Sequence, residues 1–129
     1  MKILIVDDST LNRVVMKDIM SKFGVCDTVI NGRDCIDRFT KAWAQNEPYN
    51  LICLDIVMPE MDGYEVVRAI RKWEQEKQIN KAFRVKVIMI SGLNDQKSVL
   101  EAKGYCDDYI LKPVDKALMR TKLRSLGLL

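Results

Sequence analysis

The sequence predicts an α/β domain with a mostly parallel sheet and helices on both faces, on three observations. Strand-like and helix-like segments alternate about five times along the 129 residues, the order that strand–helix–strand units require. The runs Ile3-Leu4-Ile5-Val6 and Leu51-Ile52-Cys53-Leu54 are apolar at every position, as in strands covered on both faces. Acids, a serine and a lysine recur where the strand-like runs stop.

The elements follow in order. After the run 3–6, Ser9 caps a helix in which Leu11, Val15, Ile19 and Phe23 recur every four residues, and Gly24 ends it. Residues 25–30 read as a second strand, more polar and nearer an edge. Asn31-Gly32 is expected to be a turn. The next helix carries Ile36, Phe39 and Trp43 on one face and must stop before Pro48. The apolar run 51–54 is a central strand ending at Asp55. A helix from about Asp62 presents Val66, Ile70 and Trp73, then fades into the charged stretch 74–84, expected to be a solvated extension. Residues 85–90 form a fourth strand, residues 95–103 a short helix stopped by Gly104, and Tyr109-Ile110-Leu111 a fifth strand. Asp115 caps a last helix bearing Leu118, Met119, Leu123 and Leu126. The expected organisation is one domain over residues 1–129, with no output domain after the fifth helix.

Composition removes several function classes. There is no histidine, which excludes Ser-His-Asp and Cys-His catalysis, histidine-ligated metals and phosphohistidine on this chain. Four cysteines, none in CxxC spacing, are expected to be reduced thiols rather than disulfides or zinc ligands. No apolar run approaches the roughly 20 residues that span a bilayer, and the first run is too short for a signal peptide, so a cytoplasmic protein without membrane contact is expected. The net charge of +3 comes from basic residues interleaved with acids, which suits a solvated mixed surface and not direct DNA binding.

The chemistry gathers at the strand ends. Asp7 and Asp8 follow the first strand, Asp55 ends the third, Ser91 the fourth, and Lys112 the fifth. In an open parallel sheet, ligands bind in the crevice beyond the carboxyl ends of the strands. Three carboxylates in one crevice repel one another, and a hard divalent cation such as Mg²⁺ (or Mn²⁺) removes that penalty. Lys112 adds a compact positive charge and Ser91 a hydroxyl donor. Phosphoryl transfer needs little beyond such positioning and charge neutralisation, and a carboxylate can be the nucleophile.

These residues carry a resemblance. Ile5-Val6-Asp7-Asp8-Ser9, the stretch Leu54-Asp55-Ile56-Val57-Met58-Pro59-Glu60-Met61-Asp62-Gly63, then Ile90-Ser91-Gly92, and Asp107-Asp108-Tyr109-Ile110-Leu111-Lys112-Pro113 resemble, in this order, the receiver domains of two-component response regulators. The likeness covers the whole chain and is closest in character to single-domain chemotaxis regulators. It implies a flavodoxin-like five-stranded sheet in the order 2-1-3-4-5 with five helices. It implies that Asp55 accepts the phosphoryl group, and that Asp8, Asp55 and the backbone carbonyl of Val57 ligate Mg²⁺, with Asp7 acting through a water. Lys112 would pair with Asp55 and then with the phosphoryl group. Ser91 would bond a phosphoryl oxygen, and Tyr109 would be the switch aromatic behind it. The Lys112–Pro113 bond is expected to be cis.

By the same resemblance the chain is not an enzyme acting on a separate substrate. It would catalyse only its own phosphorylation and slow dephosphorylation. Its partners would be a histidine kinase or a histidine phosphotransfer protein, and a downstream target protein read by the face spanning residues 95–126. Val57 and Leu93 are apolar where a polar side chain could orient an attacking water, which points to slow self-dephosphorylation. The stretch 74–84 is longer than in compact relatives and resembles loops of receivers attached to hybrid histidine kinases. Three other readings stand beside this one: a receiver cut from a hybrid kinase or larger regulator, a Mg²⁺-dependent phosphatase with an aspartyl nucleophile, and a phosphorylation-independent binding module. The phosphatase fits poorly, because such enzymes carry Asp-x-Asp after the first strand and here the two acids are adjacent.

Overall fold

The computed structural model of the chain describes residues 1–92 and 96–129. Five strands, β1 (Lys2–Val6), β2 (Val25–Val29), β3 (Leu51–Asp55), β4 (Lys86–Ser91) and β5 (Asp108–Leu111), form one parallel sheet in the order β2-β1-β3-β4-β5. Helices α1 (Thr10–Met20), α2 (Gly32–Ala44), α3 (Gly63–Glu76), α4 (Gln96–Ala102) and α5 (Lys116–Ser125) alternate with them. This is the expected fold. Leu93 and Asp95, which the sequence places beside the site and at the start of the fourth helix, lie outside the described residues.

The all-apolar runs are explained by the two faces they serve. Alternate residues Leu4, Val6, Ile52, Leu54, Val87 and Met89 pack with Phe39 of α2 and with Val66, Val67 and Ile70 of α3. Their neighbours Ile3, Ile5, Leu51, Cys53, Ile88 and Ile90 pack on the other side with Met16, Ile19 and Met20 of α1 and with Met119 and Leu123 of α5. Every residue of β3 is buried, as its central position demands. Burial pushes the Cys35 and Cys53 thiols up to about 12, so neither is a ready nucleophile.

The helix starts agree with side-chain caps. Ser9, Asn31, Asp62 and Asp115 accept backbone N–H groups of Asn12, Asp34, Glu65 and Ala117 respectively. Where α2 and α3 pack together, Phe39 meets Trp73 edge-on with ring centroids 5.3 Å apart. Trp43 lies 6.4 Å from Trp73, so both tryptophans of the chain share one cluster.

Four local expectations need correction. Leu11 and Val15 do not face the core: they are 71% and 48% exposed, and Met16, Ile19 and Met20 take that place. The same helix stops at Met20 with Ser21 as its cap, short of Gly24. Asn31-Gly32 is not a free turn but the start of α2, with Asn31 as its cap. The stretch 74–84 is not solvated throughout. Glu74 is fully buried, accepting from Arg71 Nη1 at 2.7 Å and from the Val85 backbone N–H at 2.9 Å. Arg71 also donates to the carbonyls of Tyr105 and Val85 and to Asp107. This network ties the end of α3 to the start of β4 and to the turn before β5, at the pole of the sheet opposite Asp55.

Candidate functional site

The fold brings the five predicted groups to one pole. Register places Asp55 beside Ile90 and Ser91 beside Leu111, so β3, β4 and β5 end close together. Asp7 and Asp8 follow β1, which pairs with β3. Carboxylate oxygens of Asp7, Asp8 and Asp55 all lie within 4.8 Å of one another. Asp7 and Asp55 are buried, and Asp8 is exposed at the mouth. The Lys112 ammonium donates to Asp55 Oδ1 at 3.1 Å. Its own backbone N–H donates to the Ser91 carbonyl at 2.7 Å, and the Lys112–Pro113 peptide is cis.

Close packing holds this pole. A Cβ added to Gly63 would sit 2.7 Å from the Asp55 carbonyl oxygen and 2.9 Å from Ile56 Cα, so only glycine lets α3 begin against the end of β3. The Gly63 N–H donates to the Ile56 carbonyl. At the other side of the site, the Ser9 N–H donates to Asp7 Oδ1 at 2.9 Å. Sequence reasoning missed Arg13. Its guanidinium donates to the Asp7 backbone carbonyl at 2.9 Å and to Thr10 Oγ1 at 3.1 Å. An arginine one turn into an amphipathic helix carries no signal of that contact.

Electrostatics mark Asp55 as the strained member. Burial, and then the neighbouring charge of Asp7, push its carboxyl up to about 6, against the opposing pull of Lys112 and the Val57 backbone N–H. Ser91 is 1% exposed, and its hydroxyl has no hydrogen-bond partner among the described residues. Such a group costs stability unless an acceptor arrives. Three carboxylates offer only oxygen, the donor set a hard divalent cation prefers, so the residues present fit Mg²⁺. Tyr109 on β5 points outward, 46% exposed, with Lys122 Nζ 5.8 Å from its ring centroid. Val57, also expected near the site, is 61% exposed. Among the described residues no helix is long and apolar enough to cross a membrane.

Comparison with known proteins agrees with this geometry. The family model described as the response regulator receiver domain matches residues 3–124. Chemotaxis protein CheY of Thermotoga maritima is 32% identical over 115 residues, covering 87% of this chain and 85% of that protein. Hybrid signal transduction histidine kinase G of Dictyostelium discoideum is 35% identical over 98% of this chain, yet the chain spans only 4% of that protein's length. Among solved structures, the receiver domain of a sensor histidine kinase from Pseudomonas aeruginosa, with a magnesium ion coordinated in its active-site cleft, superposes with a TM-score of 0.75. It is 27% identical and covers 98% of this chain and 97% of its own. A family match from the first strand to the last helix includes every strand end that bears these groups, and the chain belongs to the response regulator receiver domain family.

Proposed function

We propose that the chain, a phosphorelay receiver, takes its phosphoryl group onto Asp55 from a phosphohistidine on a histidine kinase or histidine phosphotransfer protein. The observation that carries this reading is the convergence of Asp7, Asp8 and Asp55 within 4.8 Å beside the Lys112 ammonium. An Asp55 carboxylate oxygen attacks phosphorus as the phosphorus–nitrogen bond to the donor imidazole breaks, leaving an acyl phosphate on Asp55. Asp8, Asp55 and the Val57 carbonyl would hold Mg²⁺, with Asp7 acting through a water. The ion would neutralise charge on the carboxylates and the phosphoryl oxygens. Lys112, released from Asp55, donates to a phosphoryl oxygen, and the unpartnered Ser91 hydroxyl donates to another.

The new charge gives the Ser91 hydroxyl the partner it lacks and exchanges the Asp55 partner of Lys112 for a phosphoryl oxygen, and that difference shifts the receiver between two states. Tyr109, exposed on β5, would move inward as Ser91 is drawn toward the phosphoryl group. A downstream partner protein would read the change on the face of α4, β5 and α5, where Leu100, Tyr109, Leu111 and Leu118 are exposed.

Intact mass spectrometry after incubation with acetyl phosphate and Mg²⁺ tests the assignment. One added phosphoryl group, labile to hydroxylamine and missing from Asp55→Asn, is the expected result. An adduct retained by Asp55→Asn would refute it. A second expectation concerns lifetime. The Val57 side chain cannot hydrogen-bond a water, so Val57→Asn is expected to speed loss of the phosphoryl group several-fold. Following the adduct by mass after removal of acetyl phosphate measures this, and an unchanged decay rate would sink the idea.

A further inference from the structure

The loop that carries Asp7 and Asp8 is held by a side chain outside the acidic cluster. We infer that Arg13 is a positioning residue for the divalent cation site, fixing the peptide group between Asp7 and Asp8 so that the Asp8 carboxylate faces Asp55. This rests on the proposed cation site.

One guanidinium nitrogen, Nη1, reaches the Asp7 carbonyl at 2.9 Å, and the other, Nη2, reaches Thr10 Oγ1 at 3.1 Å. Arg13 thus braces both ends of the turn from β1 into α1. The Asp7 carboxylate has its own restraint, the Ser9 N–H at 2.9 Å, and Asp7 is buried. Asp8 is exposed, so burial does not fix it. The Asp7 carbonyl belongs to the peptide plane that leads into Asp8. Rotation about the Asp7 Cα–C bond moves that carbonyl and the Asp8 Cα together, and so swings the Asp8 carboxylate away from the cluster. A planar fork with separate donors suits such a brace, whereas a lysine offers one compact ammonium. Side chains that orient ligands in this way commonly change metal affinity ten- to a hundredfold when removed.

Charge alone makes the opposite prediction. A cation beside three carboxylates competes with a bound divalent ion, so removing it without a positional effect would tighten binding. Sign therefore separates the two roles.

The test uses the full chain with Mn²⁺ as the probe, free ion being followed by electron paramagnetic resonance at low and high salt. Wild type, Arg13→Gln, Arg13→Lys and Asp8→Asn are compared, and thermal unfolding in chelator confirms that each is folded. Arg13→Gln is expected to bind Mn²⁺ about tenfold more weakly. Arg13→Lys, which keeps the charge and loses the fork, is expected to weaken binding too. Both losses should persist at high salt, where exposed charge effects are screened. Equal or tighter binding by Arg13→Gln, or wild-type affinity in Arg13→Lys, would overturn the inference. Equal Mn²⁺ binding by wild type and Asp8→Asn would instead overturn the cation site itself.

Discussion

Asp55→Asn is expected to make the metal-free protein more stable than wild type at pH 7.5, by on the order of 3 kcal/mol, and to bring almost no gain at pH 3. The folded chain raises the Asp55 carboxyl from 3.8 to about 6. Each unit of such a shift is worth roughly 1.4 kcal/mol. Between those two values the folded state binds more protons than the unfolded state, so stability falls as pH rises through that window. Well below pH 3.8 the carboxyl is protonated in both states and the penalty vanishes. Well above pH 6 it is charged in both and the penalty is complete. The attraction of Lys112, 3.1 Å away, is already included in the net shift. Urea midpoints of the two proteins, taken as differences at each pH, cancel the titration of every other carboxylate. Mg²⁺ that binds only the folded wild type should narrow the gap at pH 7.5. Equal midpoints at pH 7.5 in chelator would show that Asp55 is not strained by its surroundings.

The second large effect lies at the far pole. Glu74→Ala is expected to destabilise the chain by about 3–5 kcal/mol, the usual result of removing one partner of a buried ion pair. Glu74 is fully buried, and its loss strips the Val85 N–H of its acceptor and Arg71 of one carboxylate at once. Glu74→Gln retains an oxygen for Val85 but turns a donor toward Arg71, so an intermediate loss is expected. The remaining folded protein should still be labelled by acetyl phosphate in the cold, because the network sits away from Asp55. A loss of unfolding free energy of less than about 1 kcal/mol, read from the urea transition, would mean that water or rearrangement replaces the pair.

Site residues were easier to read from the sequence than helix faces or interior ties. A strand end fixes the pole at which a residue emerges, so an acid at the end of an apolar run is located by topology alone. That is how Asp55, Ser91 and Lys112 could be brought together before their distances were known. Helix faces are less forgiving. Leu11, Val15, Ile19 and Phe23 advance by four residues each time, and each step turns about 40° beyond a full revolution. Such a series cannot remain on one face, and the sheet selects Ile19 with Met16 and Met20 instead. Asn31 was ambiguous for a physical reason. Its side-chain oxygen serves a turn and a helix cap by the same hydrogen bond to a backbone N–H further on. Glu74 looked solvated because its partners at Val85 and Arg71 matter only once α3 lies against β4. Nothing local distinguishes a charge that will be enclosed. The isolated hydroxyl of Ser91 and the brace from Arg13 are likewise products of tertiary placement.

The pairing of Trp43 with Trp73 has an optical consequence. Trp73 lies ten helical residues after Gly63, roughly 15 Å along α3 from the end that abuts Asp55. The intrinsic fluorescence of this receiver is therefore expected to report whether α2 and α3 are packed and to respond little to what binds at the acidic pole. An ion or a phosphoryl donor added to an unfolding titration is then expected to leave the signal of the folded state nearly unchanged. Emission from the same two side chains will then compare the stabilities of the Asp55 and Glu74 variants on one scale.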